Sequence, residues 1–325
     1  MLALQIFLLL AGLVLLVKGA DWFVEGSAGL ARRCRIPTLV IGLTVVAFGT
    51  SAPELAVSVT SAIRHSTDIA IGNVVGSNIS NILLILGVSA LICPLPVQKS
   101  SLLLDFPALL AASALLLCLG YRNGALNRWD GIILLAVFAA YMALLLSYSL
   151  RRQRAQLSAG VPLSEMQEKE EAPQKKLWVL LLLLAVGLAM VVGGGTLLVN
   201  SAVWLAEKAG VSERIVGLTI VAVGTSLPEL VTSAVAAVKK ETDIAVGNVL
   251  GSNIFNVFMV AGLSSLVYPL AFTSGNLIDA IVALAAALLL LGLALLPGHR
   301  IRRWGGGVLL AGFAAYYVYL FAFAL

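Results

Sequence analysis

The sequence predicts an all-α polytopic membrane protein, with ten transmembrane helices arranged as two five-helix repeats of inverted topology. Three observations lead to this prediction. Of the 325 residues, 60% are hydrophobic and only 11% are charged, whereas about a quarter of the residues in a soluble domain are charged. Apolar runs of about 20 residues, the length that spans a bilayer, recur along the chain. A long stretch of the first half is also repeated in the second half.

The apolar runs predict helices. Only helices and closed barrels satisfy their backbone hydrogen bonds inside a bilayer, and these runs lack the alternation that is typical of barrel strands. We expect the first run to be retained as a helix, since no small-residue cleavage site follows it. The ten predicted segments are residues 2–30, 37–63, 68–92, 102–120, 129–148, 177–206, 213–238, 243–267, 277–296 and 304–323.

One long polar segment, residues 149–176, separates the fifth apolar run from the sixth. Its charged and polar composition is typical of a flexible linker. The linker divides the chain into a first five-helix repeat, residues 1–148, and a second, residues 177–325.

The repeat itself is gapless. Residues 42–87 align with residues 217–262 at an offset of 175, and 26 of the 46 positions are identical. "GLTVVAFGTSAPEL" in the first half matches "GLTIVAVGTSLPEL" in the second. Because an odd number of helices precedes the second copy, that copy enters the membrane from the opposite side. Inverted repeats are typical of secondary transporters, whose substrate site lies where the repeats meet, near the membrane midplane.

The distribution of positive charge predicts the orientation. Loops after the odd-numbered segments hold 15 lysine and arginine residues, and the other loops hold 5. The positive-inside rule therefore places residues 149–176 in the cytoplasm and both termini outside, and we expect a bacterial inner membrane. The net charge of +5 has the same origin. No basic face with interleaved aromatic residues indicates a nucleic-acid partner, and the three cysteines show no metal-ligand spacing.

Each repeat places a proline and a glutamate inside an apolar segment, Pro53–Glu54 and Pro228–Glu229. A charged side chain at the centre of a bilayer costs about 2.5–3.5 kcal/mol on insertion scales, so its presence indicates a functional site. Proline lacks a backbone donor, and we therefore expect carbonyl groups near residues 46–50 to lose their helical partners.

Oxygen-bearing residues recur at i, i+3, i+4 and i+7 spacings, which place them on one helix face. Some lie on the same segment as each glutamate, and the others lie on the next segment. In the first repeat these are Ala47, Thr50, Ser51, Asn73, Ser77, Asn78 and Asn81. In the second repeat they are Ala222, Thr225, Ser226, Asn248, Ser252, Asn253 and Asn256. Carboxylate, hydroxyl, amide and carbonyl oxygens suit hard cations, and Ca²⁺ accepts six to eight of them flexibly. Na⁺ could use the same oxygens, whereas Mg²⁺ fits less well because it demands strict octahedral geometry.

Several polar residues also have a structural interpretation. Asn73 and Asn248 are typical of interhelical hydrogen bonds. Asp68 and Asp243 are placed to complement helix N-termini. Lys18, Asp21 and Glu25 share one face of the first segment, where snorkelling or an ion pair is the default expectation..

The paired motifs "GTSAPE…GNVVGSNISN" and "GTSLPE…GNVLGSNIFN" resemble the two alpha-repeats of the calcium/cation antiporter superfamily. They are most similar to those of its sodium/calcium exchanger branch, which includes short prokaryotic members. The resemblance implies electrogenic exchange of Na⁺ for Ca²⁺ by alternating access, without a cofactor, and a sliding pair formed by the first and sixth helices. It implies as ion ligands Glu54, Glu229, Thr50, Ser51, Thr225, Ser226, Ser77, Ser252, Asn81, Asn256 and the carbonyls of Ala47 and Ala222.

The chain departs from part of that superfamily at Asn256, where some relatives carry an aspartate that is tied to potassium co-transport in animal members. The amide here lowers the expectation of potassium dependence. Calcium/proton exchangers typically read GN-x-x-E where this chain reads GTSAPE and GTSLPE, which favours Na⁺ as the counter-ion.

The sequence thus predicts a Na⁺/Ca²⁺ antiporter that extrudes Ca²⁺ and functions as a monomer in the lipid bilayer. A Ca²⁺/H⁺ antiporter is the alternative, because a carboxylate can exchange a proton for a cation. A passive cation channel is less favoured, since channels usually build a pore from rings of subunits. Enzymatic activity has no support, because no nucleophile–base pair lies outside the apolar segments.

Overall fold

A computed structural model describes residues 2–34, 36–158, 175–209 and 222–323, and most of these residues are helical. The longer helices are, in chain order, α1 (Leu2–Cys34), α2 (Thr38–Thr50), α3 (Ala52–Ile63), α4 (Thr67–Ile92), α5 (Lys99–Asn123), α6 (Arg128–Ser158), α7 (Leu177–Lys208), α8 (Leu227–Val238), α9 (Thr242–Val267), α10 (Ser274–Leu295) and α11 (Arg303–Phe323).

Eight of the described helices are long and apolar enough to cross a membrane. Helices α2 and α3 pass the same test together, across a bend of 46°, and would make a ninth span. Helix α8 is apolar but shorter, and it follows a single helical turn, Ala222–Gly224. The protein is therefore a helical, polytopic membrane protein. The seventh predicted segment, residues 213–238, lies partly outside the described residues.

Several helix ends differ from their predicted positions, and the largest differences are at the ends of α1 and α6. Helix α1 continues to Cys34, and α6 continues to Ser158, into the predicted linker. Hydropathy marks where a helix leaves the hydrocarbon core of the membrane. The helix can continue beyond that point because arginine, glutamine, alanine and leucine favour helical backbone. The remainder of the predicted linker, residues 159–174, lies outside the described residues.

The bend between α2 and α3 falls at Ser51, and Pro53 lies in the first turn of α3. Proline costs little at that position, because the first N–H groups of a helix have no intrahelical partner. Pro228 occupies the equivalent position in α8. Each proline is therefore the second residue of its helix and lies directly before the glutamate. They do not kink a continuous helix.

Three of the helices that the structure describes contain a π-helical turn. These turns are Gly42–Val46 in α2, Asn81–Ile85 in α4 and Asn256–Ala261 in α9. π-Helical turns inside α-helices are frequent at functional sites. Helices α4 and α9 are also the most buried of the long helices, whereas α1 and α11 leave most of their apolar residues exposed.

Within the described residues, four two-residue strands connect the two halves of the chain. Strand β1 (Leu95–Pro96) pairs antiparallel with β4 (Arg300–Ile301), and β2 (Ala125–Leu126) pairs with β3 (Leu270–Ala271). An offset of 175 converts β1 into β3 and β2 into β4, so the two pairings are equivalent. These strands are too short to be predicted from the sequence pattern.

The backbone repeats at the same offset. His65 and Lys240 lie 175 positions apart and have φ angles of 61° and 62°. Gly124 and His299 are likewise 175 apart, with φ angles of 63° and 44°. Left-handed backbone is uncommon for residues other than glycine, so these matches indicate that both halves make the same turns.

Helices α1 and α7 form an antiparallel pair in close backbone contact. A Cβ atom added to Gly12 would lie 2.8 Å from the backbone nitrogen of Leu198. One added to Gly187 would lie 2.6 Å from the backbone nitrogen of Phe23. Small residues permit such an approach in a membrane, where van der Waals packing drives the association of helices.

Candidate cation-binding site

Two buried glutamates form the centre of the candidate site. Glu54 lies in the first turn of α3 and Glu229 in the first turn of α8, and their side chains are 1% and 0% exposed. A helix N-terminus favours a negative charge, because its free N–H groups and dipole point toward it. The Oε2 atom of each glutamate has no hydrogen-bond partner among the described residues.

Serine hydroxyls connect the two halves around these carboxylates. Ser51 Oγ donates a hydrogen bond of 3.0 Å to Glu229 Oε1. Ser77 Oγ lies 3.5 Å from Glu54 Oε1, and Ser226 Oγ lies 3.3 Å from Ser77 Oγ. These hydrogen bonds form two groups, and the groups join into one buried cluster because Ser51 lies three residues before Glu54 and Ser226 three residues before Glu229. The cluster has contributions from α3, α4, α8 and the turns before α3 and α8.

Asn73 supports the glutamate of its own half. Its Nδ2 donates to the backbone carbonyl of Glu54 at 3.1 Å and to Ser58 Oγ at 2.9 Å. Asn248 repeats this arrangement on Glu229 and Ser233, at 3.4 and 2.9 Å. The structural interpretation of the two asparagines as interhelical hydrogen bonds is confirmed.

The same asparagines also accept hydrogen bonds from the opposite half. Thr50 Oγ1 lies 3.0 Å from Asn248 Oδ1. Thr225 Oγ1 lies 3.4 Å from Asn73 Oδ1. The threonines that precede the two helix breaks are thus attached across the interface between the halves.

Ser58 and Ser233 are not among the site residues that the sequence predicts. Each lies four residues after its glutamate, on the same helix face, and the pair obeys the offset of 175. The i+4 spacing and the repetition in both halves could have identified these two serines from the sequence.

The predicted residues of α4 and α9 are also buried at this interface. Asn81 and Asn256 are 1% and 0% exposed, and their Oδ1 atoms have no hydrogen-bond partner in the described part of the chain. Ser252 is fully buried, and its Oγ is likewise unpaired among the described residues. Buried polar groups are normally hydrogen-bonded, so these unpaired oxygens are unusual for a purely structural interface.

The expectation that carbonyls near residues 46–50 lose their helical partners does not hold for the carbonyl of Ala47. This carbonyl accepts a hydrogen bond from the backbone nitrogen of Ser51 at 3.0 Å, and Thr50 Oγ1 lies 3.4 Å away. A proline lacks the N–H group that would donate to the carbonyl four residues earlier. For Pro53 that carbonyl belongs to Gly49 and not to Ala47. The Ala47 carbonyl retains a second lone pair.

In the second half, Ala222 begins the helical turn Ala222–Gly224. The backbone nitrogen of Ser226 bonds there to the carbonyl of Val223, at 3.1 Å. The two equivalent breaks therefore differ in their hydrogen bonding.

Glycines on α9 permit α2 to approach the site. A Cβ added to Gly247 would lie 2.8 Å from the carbonyl oxygen of Leu39, and one added to Gly251 would lie 2.6 Å from that of Leu43. No described atom lies within 4 Å of a Cβ added to Gly72 or Gly76. The residues that the repeat would place there, near positions 214–218, lie outside the described residues.

The predicted polar residues of α1 and of the helix starts lie away from this cluster. Asp21 forms an ion pair with Lys239 at 2.6 Å, and Glu25 forms one with Lys175. These pairs join α1 to the segments before α7 and after α8. Lys18 is exposed.

Asp68 and Asp243 lie in the first turns of α4 and α9, as expected for helix N-termini. Asp243 also accepts hydrogen bonds from Thr38 Oγ1 at 3.2 Å and Gln98 Nε2 at 2.7 Å. These two contacts were not predicted.

The chemistry of the cluster is therefore that of two carboxylates surrounded by neutral oxygens. No group of three or more His, Cys, Asp or Glu side chains able to hold a metal occurs among the residues that the structure describes. Carboxylate, hydroxyl and amide oxygens suit Ca²⁺ and Na⁺ better than zinc or copper, which prefer nitrogen and sulfur.

Comparisons with known proteins agree with this chemistry. The family model described as sodium/calcium exchanger protein matches residues 4–147 and again residues 179–322. The sodium/calcium exchanger MaX1 of Methanosarcina acetivorans is 34% identical over 99% of both chains. The inner membrane protein YrbG of Escherichia coli K12 is 40% identical over 94% of this chain and 93% of its own. A solved structure of the sodium-calcium exchanger NCX_Mj, soaked with zero Na⁺ and Ca²⁺, has a TM-score of 0.84 at 32% identity and covers 98% of this chain and all of its own.

Proposed function

The chain belongs to the sodium/calcium exchanger protein family, and on that premise we propose that it is a secondary antiporter that exchanges Na⁺ for Ca²⁺ across the membrane and extrudes Ca²⁺. One observation carries the proposal. Two glutamates from different halves are fully buried in one cluster, and each keeps one carboxylate oxygen without a hydrogen-bond partner in the described part of the protein.

The charge of this cluster suits one divalent cation. Two carboxylates balance one Ca²⁺, and a buried charge is stable only when it is paired. The ligands that we propose are the two glutamates and the neutral oxygens around them. They are Glu54, Glu229, Thr50, Ser51, Thr225, Ser226, Ser77, Ser252, Asn81, Asn256 and the carbonyls of Ala47 and Ala222.

Na⁺ uses the same oxygens in this proposal. Because Na⁺ and Ca²⁺ are both hard cations, the carboxylates that hold Ca²⁺ attract Na⁺ as well. Occupation by Na⁺ then releases Ca²⁺, and occupation by Ca²⁺ releases Na⁺. The site needs no cofactor, since the ions themselves are the substrates.

We propose ten spans in two inverted repeats. Helix α8, with the residues before it, would complete the tenth span as the counterpart of α2 and α3. Equivalent cross-half contacts support the repeat: Thr50 to Asn248 and Thr225 to Asn73 are related by the offset of 175. The two family matches begin 175 positions apart.

The proposed domain boundaries follow from the repeat. Residues 1–148 form the first repeat, with a core at 42–87, and residues 177–325 form the second, with a core at 217–262. The segment 149–176 joins them in the cytoplasm, and both termini lie outside an inner membrane. This orientation rests on the excess of positive charge in the loops after the odd-numbered segments.

Alternating access requires that the site open to one side at a time. We propose that the α1–α7 pair slides across the remaining helices, and that the chain works as a monomer. The glycine contacts between α1 and α7 support their movement as a unit, because the two backbones touch directly. The ion pairs of α1 involve half-exposed groups, so each contributes only about 0–1 kcal/mol and can break during transport.

Reconstitution into liposomes tests the function. Proteoliposomes loaded with Na⁺ and diluted into Na⁺-free medium should accumulate radioactive Ca²⁺, and the uptake should respond to membrane potential if exchange is electrogenic. Uptake driven by a pH gradient without Na⁺ would indicate the Ca²⁺/H⁺ alternative. Uptake that needs no counter-ion gradient and does not saturate would indicate a channel.

A further inference from the structure

We propose that Asn78 is a positioning residue that orients the side-chain amide of Asn256, so that the Asn256 oxygen is presented to the cation. This inference rests on the proposed function, because it assigns the cation as the group that this oxygen faces. Asn78 lies on α4 and Asn256 on α9, in opposite halves of the chain.

The orientation of Asn78 itself is fixed by a backbone group. Its Nδ2 donates to the carbonyl oxygen of Asn253 at 3.2 Å. A backbone carbonyl can only accept a hydrogen bond, so the amide nitrogen of Asn78 must face it. The Oδ1 of Asn78 therefore lies on the other side of the amide.

That oxygen in turn fixes Asn256. Asn256 Nδ2 donates to Asn78 Oδ1 at 3.2 Å. Because Oδ1 can only accept, Asn256 must present its nitrogen to Asn78 and turn its own oxygen away. Asn256 Oδ1 is then left buried and without a partner among the described residues.

The unpaired Oδ1 of Asn256 lies on the same face of α9 as another unpaired oxygen. Ser252 is one helical turn before Asn256, at the i+4 spacing that places both on one face of α9. Its Oγ is also buried and unpaired in the described part of the chain. Two buried oxygens on one helix face that lack hydrogen-bond donors can coordinate a cation, which would satisfy both of them.

In the first half, Asn81 occupies the position equivalent to Asn256, but its partner Asn253 is not held in the same way. Asn81 Nδ2 donates to Asn253 Oδ1 at 3.4 Å, but Asn253 Nδ2 has no partner among the described residues. The orientation of Asn81 is therefore less firmly fixed than that of Asn256. We expect a substitution at Asn78 to weaken cation binding more than the same substitution at Asn253.

A double-mutant comparison separates positioning from packing. Asn78→Leu keeps the branched side-chain shape but removes both the acceptor and the donor, so the Asn256 amide can turn its nitrogen toward the cation. Ca²⁺ affinity, measured by calorimetry on the full chain, should fall about tenfold. In an Asn256→Asp background either orientation presents an oxygen, and Asn78→Leu should then change the affinity less than twofold.

Equal losses in both backgrounds would overturn the proposal, because a packing role does not depend on the chemistry at position 256. An unchanged affinity of Asn78→Leu would overturn it as well. Ser80→Ala, a buried residue on the same helix outside this network, is the matched control and should bind Ca²⁺ normally. If Asn78→Leu does not fold, Asn78→Ser, whose side chain is too short to reach Asn256, serves in the same comparison. Absence of Ca²⁺ binding by the wild-type chain would instead refute the proposed function.

Discussion

Ser51 donates a 3.0 Å hydrogen bond to the carboxylate of Glu229, although the two residues lie 178 positions apart in different halves of the chain. The equivalent serine, Ser226, contacts the hydroxyl of Ser77 at 3.3 Å, and of the two serines that interact with Glu54 it is the weaker partner. Ser51 is instead the stronger hydroxyl partner of Glu229, so the two halves hold their carboxylates differently in spite of their sequence repeat.

This asymmetry predicts unequal effects of two matched substitutions. A hydrogen bond to a charged group contributes about 1.5–3 kcal/mol, and one between neutral groups about 0.5–1.5 kcal/mol. Ser51→Ala should therefore weaken Ca²⁺ binding by about tenfold or more, and Ser226→Ala by less. Calorimetric titration of both variants measures the difference, and a larger loss for Ser226→Ala would contradict the observed geometry.

Neutralising either glutamate should abolish exchange. Removing one partner of a buried charge pair costs about 3–5 kcal/mol, so Glu54→Gln and Glu229→Gln should each weaken Ca²⁺ binding by about 100-fold or more. The measurement is Na⁺-driven Ca²⁺ uptake, with thermal unfolding in detergent to verify folding.

Asp279→Asn is the control for this prediction. Asp279 is a carboxylate within α10 that accepts a hydrogen bond from Tyr316 at 2.9 Å, outside the site. Its substitution should leave uptake intact. Normal uptake by both glutamine variants would remove the glutamates from the central role.

The inverted repeat predicts opposite locations for two equivalent turns. His65 and Lys240 have the same left-handed backbone and lie 175 positions apart. In a chain without other cysteines, His65→Cys should react with a membrane-impermeant thiol reagent from outside, and Lys240→Cys from the cytoplasmic side. Intact cells and everted vesicles distinguish the two, and labelling of both from one side would exclude the inverted arrangement.

The contact between α1 and α7 predicts different outcomes for two glycines of α7. A Cβ on Gly187 would meet backbone atoms at 2.6 Å, whereas no described atom lies within 4 Å of a Cβ on Gly193. Gly187→Ala should lower the free energy of unfolding by about 1–3 kcal/mol through overpacking and slow exchange. Gly193→Ala should be neutral or slightly stabilising, because alanine favours the helix.

Thermal unfolding and initial uptake rates test this pair of variants together. Similar behaviour of the two would mean that the helices are not in backbone contact.

The sequence carried most of the information about the fold class, because apolar length and repetition are properties of the chain alone. The family resemblance drawn from the two glutamate-containing motifs is confirmed by the match over both halves. The number of ten spans stays a prediction, since the described residues hold eight long spans, the bent pair and the shorter helix α8.

The details of the site were less predictable, because they depend on contacts between the halves. The carbonyl of Ala47 keeps its helical hydrogen bond because the helix is interrupted only at Ser51. Hydropathy does not show where a helix is interrupted to within a few residues. Nor does sequence spacing reveal that Asn78 bonds across to Asn253 and Asn256. Asn78 could equally have formed its hydrogen bonds within its own half, as Asn73 does.

In the proposed exchange, one pair of glutamates binds Ca²⁺ and Na⁺ alternately. Calorimetric titration of the purified full chain with Ca²⁺, at increasing fixed Na⁺ concentrations and constant ionic strength, tests it most directly. We predict that Na⁺ progressively weakens the apparent affinity for Ca²⁺, and that Glu54→Gln and Glu229→Gln remove the Ca²⁺ signal. An affinity for Ca²⁺ that does not change with Na⁺, in a chain that binds both ions, would contradict a shared site.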